Sequence, residues 1–572
     1  MKKIILLNFL FVFSHVFAQK DVKDQFIIYD SIKITTKDNA TLSLSVVINK
    51  NQKPENTILI NTIYSDVKNI EGAKYFTKNG YATVILNTRG KFLSTNEIEP
   101  FEHEANDIYE AIDWIIKQPW SNGNVGMIGG SYLGFSQWAA TKKLHPALKT
   151  IVPQASVGAG IIDFPMNNHI FMAYSLRWLH QVTNGKMTDY RDFNDTKKWN
   201  SVYKKWYESG KSFRKLDSIS GKPNAVFQRW IDHPNYDEYW KKMIPYQNEF
   251  SKINIPVLTT TGYFDANISG ALYYFRQHYK YNANADHYLI IGPYDHSGAQ
   301  GDIKNSLRNY TIDPVSKIDL YKIWIGWFDY IFKHKQKPDF LKDKINYQVM
   351  GTNQWRNVNS IDAFEKNKVK FYLKNENSAL IASKIKGNDE NFSSLKVDLS
   401  DRSDADELLN QKGNIIDSTF YTKNNLLFYS DAFKNDFELS GSFSGNLTMS
   451  LNKKDVDLYI SLYELMPDGR RFFLSSYVKR ISYAKNTESR NLLTPNKKES
   501  IRVSDNNTFV SKKINKGSKI VVMIGVVKSP FWEINYGTGK KVSDENISDA
   551  KEPLEIKFYN NSYMEIPVVE NL

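Results

Sequence analysis

The chain has 572 residues, a formal net charge of +13, 41% hydrophobic and 24% charged residues, and no cysteine. At roughly 100–200 residues per domain this length predicts two or three domains, and an ordinary apolar fraction with 33 Phe, 34 Tyr and 12 Trp excludes disorder and favours aromatic-lined pockets. Without cysteine there are no disulfides, thiolate metal sites, thiol nucleophile or lipidated cysteine, and lysines scattered without a basic block or nucleic-acid-binding module exclude nucleic acid as an expected partner.

Lys2-Lys3, the apolar run Ile4–Phe13 and the small-residue end Val16-Phe17-Ala18 predict a cleaved signal peptide over 1–18, hence a periplasmic or secreted protein. No later stretch of about 20 apolar residues predicts a membrane span. Thr57–Ile63, Ala82–Leu86 and Val125–Ile128 read as buried strands and Ala105–Lys117 as an amphipathic helix; this alternation predicts a mostly parallel, doubly wound α/β sheet. Residues 155–250 carry Trp178, Trp199, Trp206, Trp230 and Trp240 among polar residues without buried strand runs, which predicts a helical cap. Strand patterns resume at Ile255–Thr261 and His287–Ile291, followed by an apolar helix over Ile318–Phe332. From about 345 onward alternating strands such as Asn446–Leu451, Leu458–Tyr463, Phe472–Arg480 and Lys519–Val526 predict a β-sandwich of jelly-roll type. The expected units are therefore the signal peptide 1–18, a catalytic domain over 19–154 and 251–340, the cap 155–250, and a β-sandwich domain 341–572.

Gly129-Gly130-Ser131-Tyr132-Leu133-Gly134 joins a buried strand to a helical pattern, Phe135–Thr141. A nucleophile elbow needs small neighbours so that the backbone can fold sharply and expose the serine hydroxyl. The second glycine stands one place later than in the usual Gly-x-Ser-x-Gly pattern, and a plain glycine-rich turn is the alternative. A serine needs a base, and the base an orienting carboxylate. Asp265 follows one later strand in Gly262-Tyr263-Phe264-Asp265, and His296 follows the next in Gly292-Pro293-Tyr294-Asp295-His296. Alone, Asp265 reads better as a helix N-cap, and His296 equally well as a surface turn residue. Ser131, Asp265 and His296 in that order, each past a strand end, predict a catalytic triad. Glu104, Asp107, Arg89 and the Asp455/Asp457 pair read as structural, and no residue spacing predicts a metal or other cofactor.

Thr88-Arg89-Gly90, Gln118-Pro119-Trp120-Ser121-Asn122-Gly123, the Gly-x-Ser-Tyr-x-Gly elbow, His233-Pro234-Asn235-Tyr236-Asp237 and Gly292-Pro293-Tyr294-Asp295-His296 resemble the cocaine esterase and Xaa-Pro dipeptidyl-peptidase superfamily of α/β hydrolases. The resemblance continues through Tyr463-Glu464-Leu465-Met466-Pro467-Asp468-Gly469-Arg470 and Asn535-Tyr536-Gly537-Thr538-Gly539 and so covers nearly the whole mature chain. It makes the shifted glycine a family trait and implies an oxyanion hole formed by the Tyr132 backbone N–H and the Tyr64 phenol.

The expected substrate is a small ester, amide or short peptide, with Trp178 and Trp206 lining an apolar acyl pocket. The expected activity is ester or amide hydrolysis through an acyl-enzyme. Alternatives are an Xaa-Pro dipeptidyl-peptidase and an α-amino-acid ester hydrolase or acyltransferase. These need a carboxylate for the substrate ammonium; Asp265 is followed by Ala266, Asn267 and Ile268, which leaves Asp163, Asp192 or Asp237 to supply one. A third alternative, a non-catalytic glycan- or peptide-binding protein, sits poorly with three intact triad residues; the resemblance implies instead a C-terminal domain that borders the catalytic pocket, with Trp532 or Tyr536 expected to contribute there. Oligomeric state stays open, a homodimer included.

Overall fold

Runs of Thr, Val, Ile and Leu without polar alternation form strands buried on both faces, as a parallel sheet covered by helices requires. The structure is a computed structural model in which residues 25–50, 55–377, 379–504 and 507–569 are described. The expected signal peptide lies outside them. Strands β1 (Phe26–Thr35), β2 (Thr41–Asn49), β3 (Glu55–Thr62), β4 (Ala82–Asn87), β5 (Ser121–Gly130) and β6 (Leu148–Gln154) are interleaved with helices α1 (Asn69–Lys78), α2 (Glu104–Ile115) and α3 (Tyr132–Lys142).

The chain then leaves the sheet. Three short strands, β7 (Ala159–Gly160), β8 (Phe164–Asn167) and β9 (Ile170–Phe171), lead into α4 (Tyr174–Thr183), α5 (Tyr190–Asn194), α6 (Thr196–Ser209), α7 (Leu216–Ile219), α8 (Ala225–Asp232) and α9 (Glu238–Lys241). The insertion is thus mainly helical, but it opens with strands too short to carry a periodicity.

The chain returns through β10 (Val257–Gly262), α10 (Ile268–Tyr281), β11 (His287–Gly292), a small hairpin of β12 (Ser306–Leu307) and β13 (Tyr310–Thr311), α11 (Leu320–Lys333), β14 (Ile345–Val349) and β15 (Gln354–Val358). The sheet order is β1-β2-β4-β3-β5-β6-β10-β11-β14-β15. Strands from β4 across to β14 run parallel, while β1, β2 and β15 pair antiparallel at the two edges. Side chains alternate between the two faces: Leu59, Met127 and Ile151 pack with α2, α3 and α10, whereas Ile58, Ile128 and Val152 pack with α1 and α11.

The sheet runs further than the sequence suggests. With a boundary expected at 340/341, β14 and β15 fall on the β-sandwich side, yet both hydrogen-bond into the catalytic sheet. Alternating strand patterns look alike on either side of such a boundary, and only the pairing partner distinguishes them.

The remainder is β-rich. Lys368–Glu376 pairs antiparallel with Tyr563–Pro567, and Ser444–Leu451 with Leu554–Tyr559. Strands so far apart in sequence lie side by side, as in a sandwich and unlike a run of simple hairpins. Inside this domain Arg480 is buried and holds two carboxylates: its Nε and Nη2 donate to Asp457 at 2.8 and 2.7 Å, and Nη2 also donates to Glu533 at 2.8 Å. Glu533 in turn accepts the backbone N–H of Phe171 in β9 at 3.0 Å, which ties the β domain to the insertion. Arg480→Met leaves two buried carboxylates without their cation, a change that costs about 3–5 kcal/mol. We expect a clearly lowered urea midpoint by tryptophan fluorescence, and an unchanged midpoint would contradict this role.

Candidate active site

The elbow is built where β5 turns into α3. Ser131 has φ +62° and ψ −123°, a left-handed backbone that a residue with a side chain adopts only under strain and that occurs typically at functional turns. The displaced glycine has a packing reason: a Cβ at Gly134 would stand 2.7 Å from Ser156 Oγ and 2.8 Å from the Gln154 carbonyl, so the helix could not approach the end of β6. The Ser131 N–H donates to the Gln154 carbonyl at 3.0 Å, which anchors the turn there.

Asp265 lies in the loop after β10, buried, with its carboxylate held on several sides. Thr261 Oγ1 donates to Oδ2 at 2.9 Å, and the Asn267 N–H donates to Oδ1 at 2.9 Å. His296 follows β11, with Nδ1 2.8 Å from Asp265 Oδ1. That contact fixes the ring and turns Nε2 toward other partners. Gln300, four residues on, donates from Nε2 to the His296 carbonyl at 2.8 Å and braces the loop. Burial disfavours the charged imidazole, but the charge and hydrogen bond of Asp265, with Asp163 and Asp295 nearby, outweigh it and raise the His296 pKa above 6.5.

Ser131 and His296 line one cavity of about 570 Å³ together with Tyr64, Trp178, Asp163 and a ring of further aromatic side chains. Tyr64 stands two residues beyond β3. Its hydroxyl receives the Trp178 Nε1–H at 2.8 Å, and the residue lines the same cavity as Ser131. Burial raises the phenol pKa far above its ordinary value, with the Trp178 hydrogen bond and the nearby Ser131 hydroxyl partly opposing, so the O–H stays protonated. Because Trp178 occupies a lone pair, the Tyr64 proton is left to point elsewhere.

Tyr132 opens α3, so its backbone N–H is among the first-turn donors without an acceptor inside the helix. Its side chain is buried: the hydroxyl donates to Glu104 and accepts the Phe101 N–H at 3.2 Å. Burial pushes the Glu104 carboxyl up to about 7, against the pull of the Tyr132 hydrogen bond. Glu104 therefore serves the packing beneath the elbow, while Arg89 is locked in a buried ion pair with Asp107 at 2.6 Å.

Trp206 does not line this cavity. It is buried within the insertion, where its Nε1–H donates to the Ser212 carbonyl at 3.2 Å and its ring meets Phe213 edge-on, so the expected substrate role is corrected to a core role. The aromatic lining comes instead from residues the sequence did not single out: Phe101 before α2, Phe164 in β8, Tyr174 in α4, and Tyr190 and Phe193 in α5. Gln300, at four residues after His296 in a glycine-rich turn, carried the one signal that could have been noticed.

Of the three candidate amine partners, only Asp163 reaches the cavity. Asp237 caps α9 and contacts His233 at 2.7 Å, and Asp192 contacts Lys198 and lies 3.5 Å from His180. Asp163 is buried and accepts N–H groups from Gly158 at 2.7 Å, Gly270 at 2.9 Å and Asn267 Nδ2 at 3.2 Å. Burial raises its pKa to about 8, with those donors and the nearby Asp265 pulling in opposite directions. From the β domain, Trp532 bridges to Met172 on the cavity wall, whereas the Tyr536 hydroxyl is held by Arg402 at 2.5 Å. Among the described residues no group of three or more His, Asp, Glu or Cys side chains is arranged to hold a metal ion.

Residues 38–298 match the X-Pro dipeptidyl-peptidase (S15 family), and residues 341–551 match the X-Pro dipeptidyl-peptidase C-terminal non-catalytic domain. The chain belongs to the X-Pro dipeptidyl-peptidase S15 family. Members of this family are serine hydrolases, and the chain is one. It is 24% identical over 516 residues to a cocaine esterase of Rhodococcus sp. (strain MB1 Bresler), covering 83% of this chain and 85% of that protein. Two solved structures share the S15-family chain's fold. An α-amino acid ester hydrolase superposes with a TM-score of 0.80 at 18% identity, covering 98% of this chain and 99% of that one. An aminopeptidase from a marine sediment archaeon, Thaumarchaeota archaeon, also gives 0.80, at 19% identity and 96% and 97% coverage.

Proposed function

We propose that the protein is an exported esterase or amidase for small acyl substrates, with Ser131 as nucleophile, His296 as general base and Asp265 as its orienting acid. The observation that carries this reading is one cavity lined by a strained Ser131, by His296 with Nδ1 held 2.8 Å from Asp265, and by Tyr64, whose hydroxyl accepts the Trp178 Nε1–H. Ser131 Oγ attacks the carbonyl carbon while His296 Nε2 takes its proton. The negative oxygen then gathers the Tyr64 O–H and the Tyr132 N–H. Collapse expels the alkoxide or amine, which takes the proton from His296, and water repeats the sequence on the acyl-enzyme. Phe101, Phe164 and Trp178 give the acyl group an apolar seat, favouring uncharged acyl chains. No helix of the described residues is long and apolar enough to cross a membrane.

A second reading, hydrolysis of α-amino acyl esters or N-terminal dipeptides, is favoured by Asp163 alone, the one carboxylate on the cavity wall free of the triad. Three donors already hold it and its pKa is raised to about 8, so at neutral pH it is mainly protonated and a weak partner for an ammonium. The test is purified protein assayed on p-nitrophenyl acyl esters of increasing chain length beside Gly-Pro and Ala-Pro p-nitroanilides. Ester turnover with little anilide release supports the first reading. Preferential anilide release, lost in Asp163→Asn through KM, supports the second.

The raised His296 pKa sets the pH dependence. The base must be neutral, so kcat/KM falls as pH drops through the His296 pKa, and the acid limb lies above the ordinary 6.5. Asp265→Asn removes the largest source of the upward pull and should move the limb to lower pH as well as cutting the rate. A limb centred below 6.5 in the wild type would count against His296 as the base.

A further inference from the structure

A second cavity, of about 400 Å³, lies in the β domain and shares no lining residue with the catalytic one. Its size is that of a small-molecule site. Five cationic side chains line it, Arg308, Lys412, Lys423, Arg471 and Lys528, and no acidic side chain does. Three of the five are neutralised by carboxylates set behind the wall. Lys528 pairs with Asp404 at 2.7 Å, Lys423 with Asp401 at 3.1 Å, and Arg471 with Asp417 at 3.5 Å. Arg308 and Lys412 make no ion pair with any described residue. Desolvation lowers the Arg308 pKa, and the field of Asp295 only partly offsets it, which is the condition of a cation short of a counter-ion.

The rest of the lining mixes aromatic and aliphatic side chains with the polar Gln411, Asn414, Asn424, Asn425 and Ser529. Tyr459, Tyr463, Phe473 and Trp532 bring aromatic side chains to the wall, and the Tyr421 hydroxyl, also on the wall, is buried with no hydrogen-bond partner among the described residues. A ligand that stacks on the rings, neutralises Arg308 and Lys412 and accepts a hydrogen bond meets all three demands. We infer that this cavity binds a ring-bearing organic anion, a carboxylate or phosphate carried on an aromatic or sugar ring, at a site separate from that of Ser131.

The two cavities are neighbours. Met172 on the catalytic wall bridges to Trp532 on this one, and the Ala173 N–H donates to the Phe531 carbonyl at 2.9 Å. Phe264, next to Asp265 in the chain, lies 5.6 Å from the Arg308 guanidinium and packs against Phe473. Occupancy can therefore press on the loop that carries Asp265, but binding itself does not depend on the hydrolase reading.

The test is calorimetric titration of the full chain with 2-naphthoate and with glucose 6-phosphate, each beside its neutral counterpart, 2-naphthamide or glucose. We expect one of the two anions to bind at a single site, at least about tenfold tighter than its neutral counterpart; which one it is identifies the ring. The affinity should persist in Ser131→Ala and after covalent blocking of Ser131, whatever the outcome for hydrolysis. It should fall about tenfold in Arg308→Gln, be retained in Arg308→Lys, and fall in the exposed variant Lys412→Glu, whose thermal midpoint stays at the wild-type value. The inference is overturned if neither anion binds saturably up to about 10 mM, if neutral and charged forms bind alike, or if blocking Ser131 abolishes binding.

Discussion

Ser131→Ala should abolish ester turnover, lowering kcat by about 10⁴-fold or more while leaving KM and the thermal midpoint close to wild type. The expectation follows from the elbow. The strained φ of +62° lifts the hydroxyl into the cavity shared with His296, and no other described serine lines that cavity. Alanine keeps the backbone and the Gln154 contact of the Ser131 N–H, so the loss falls on chemistry and not on folding. His296→Ala should cost about as much, because a nucleophile and its base act as one unit and their losses do not add. A variant retaining more than about a tenth of wild-type kcat would remove Ser131 from the mechanism.

Tyr64→Phe is the second large effect. It should lower kcat by about 10²–10³, equivalent to roughly 2.7–4 kcal/mol, with KM little changed. The phenol proton meets the oxygen of the substrate fully only when that oxygen becomes negative, so its removal weakens the transition state more than the bound ester. The ring itself stays packed edge-on to Tyr132 at 6.4 Å in either case. Trp178→Phe should give a smaller kcat loss, since the phenol stays and only the N–H that orients it is lost, while the smaller ring on the acyl wall should raise KM as well. A Tyr64→Phe enzyme with altered KM and unaltered kcat would make the residue a substrate contact instead of an oxyanion donor.

The parts of the site legible in the sequence are those tied to strand ends. Ser131, Asp265 and His296 each follow a buried strand that ends in glycine, and the sheet brings those ends to one edge, so order along the chain translates into nearness in space. Tyr64 was visible only through resemblance, because a tyrosine two residues past a strand is common and nothing local marks its hydroxyl. The acyl wall was not legible. Trp178 and Trp206 sit in similar aromatic, polar surroundings in the sequence, yet one indole donates to Tyr64 and the other to the Ser212 carbonyl within the core of the insertion. That difference arises from how α4 and α6 pack, a tertiary outcome with no periodic signal. The same limit applied to β14 and β15, whose patterns suit either sheet and whose membership is set by the partner strand.

The central claim is that Ser131 is the activated nucleophile of a Ser-His-Asp triad, and covalent trapping tests it most directly. Protein incubated with a fluorophosphonate probe and digested for mass spectrometry should carry one adduct, on the peptide containing Ser131. The adduct should be absent in Ser131→Ala and formed far more slowly in His296→Ala. An adduct on another serine, or labelling of Ser131 at the same rate without His296, would contradict it.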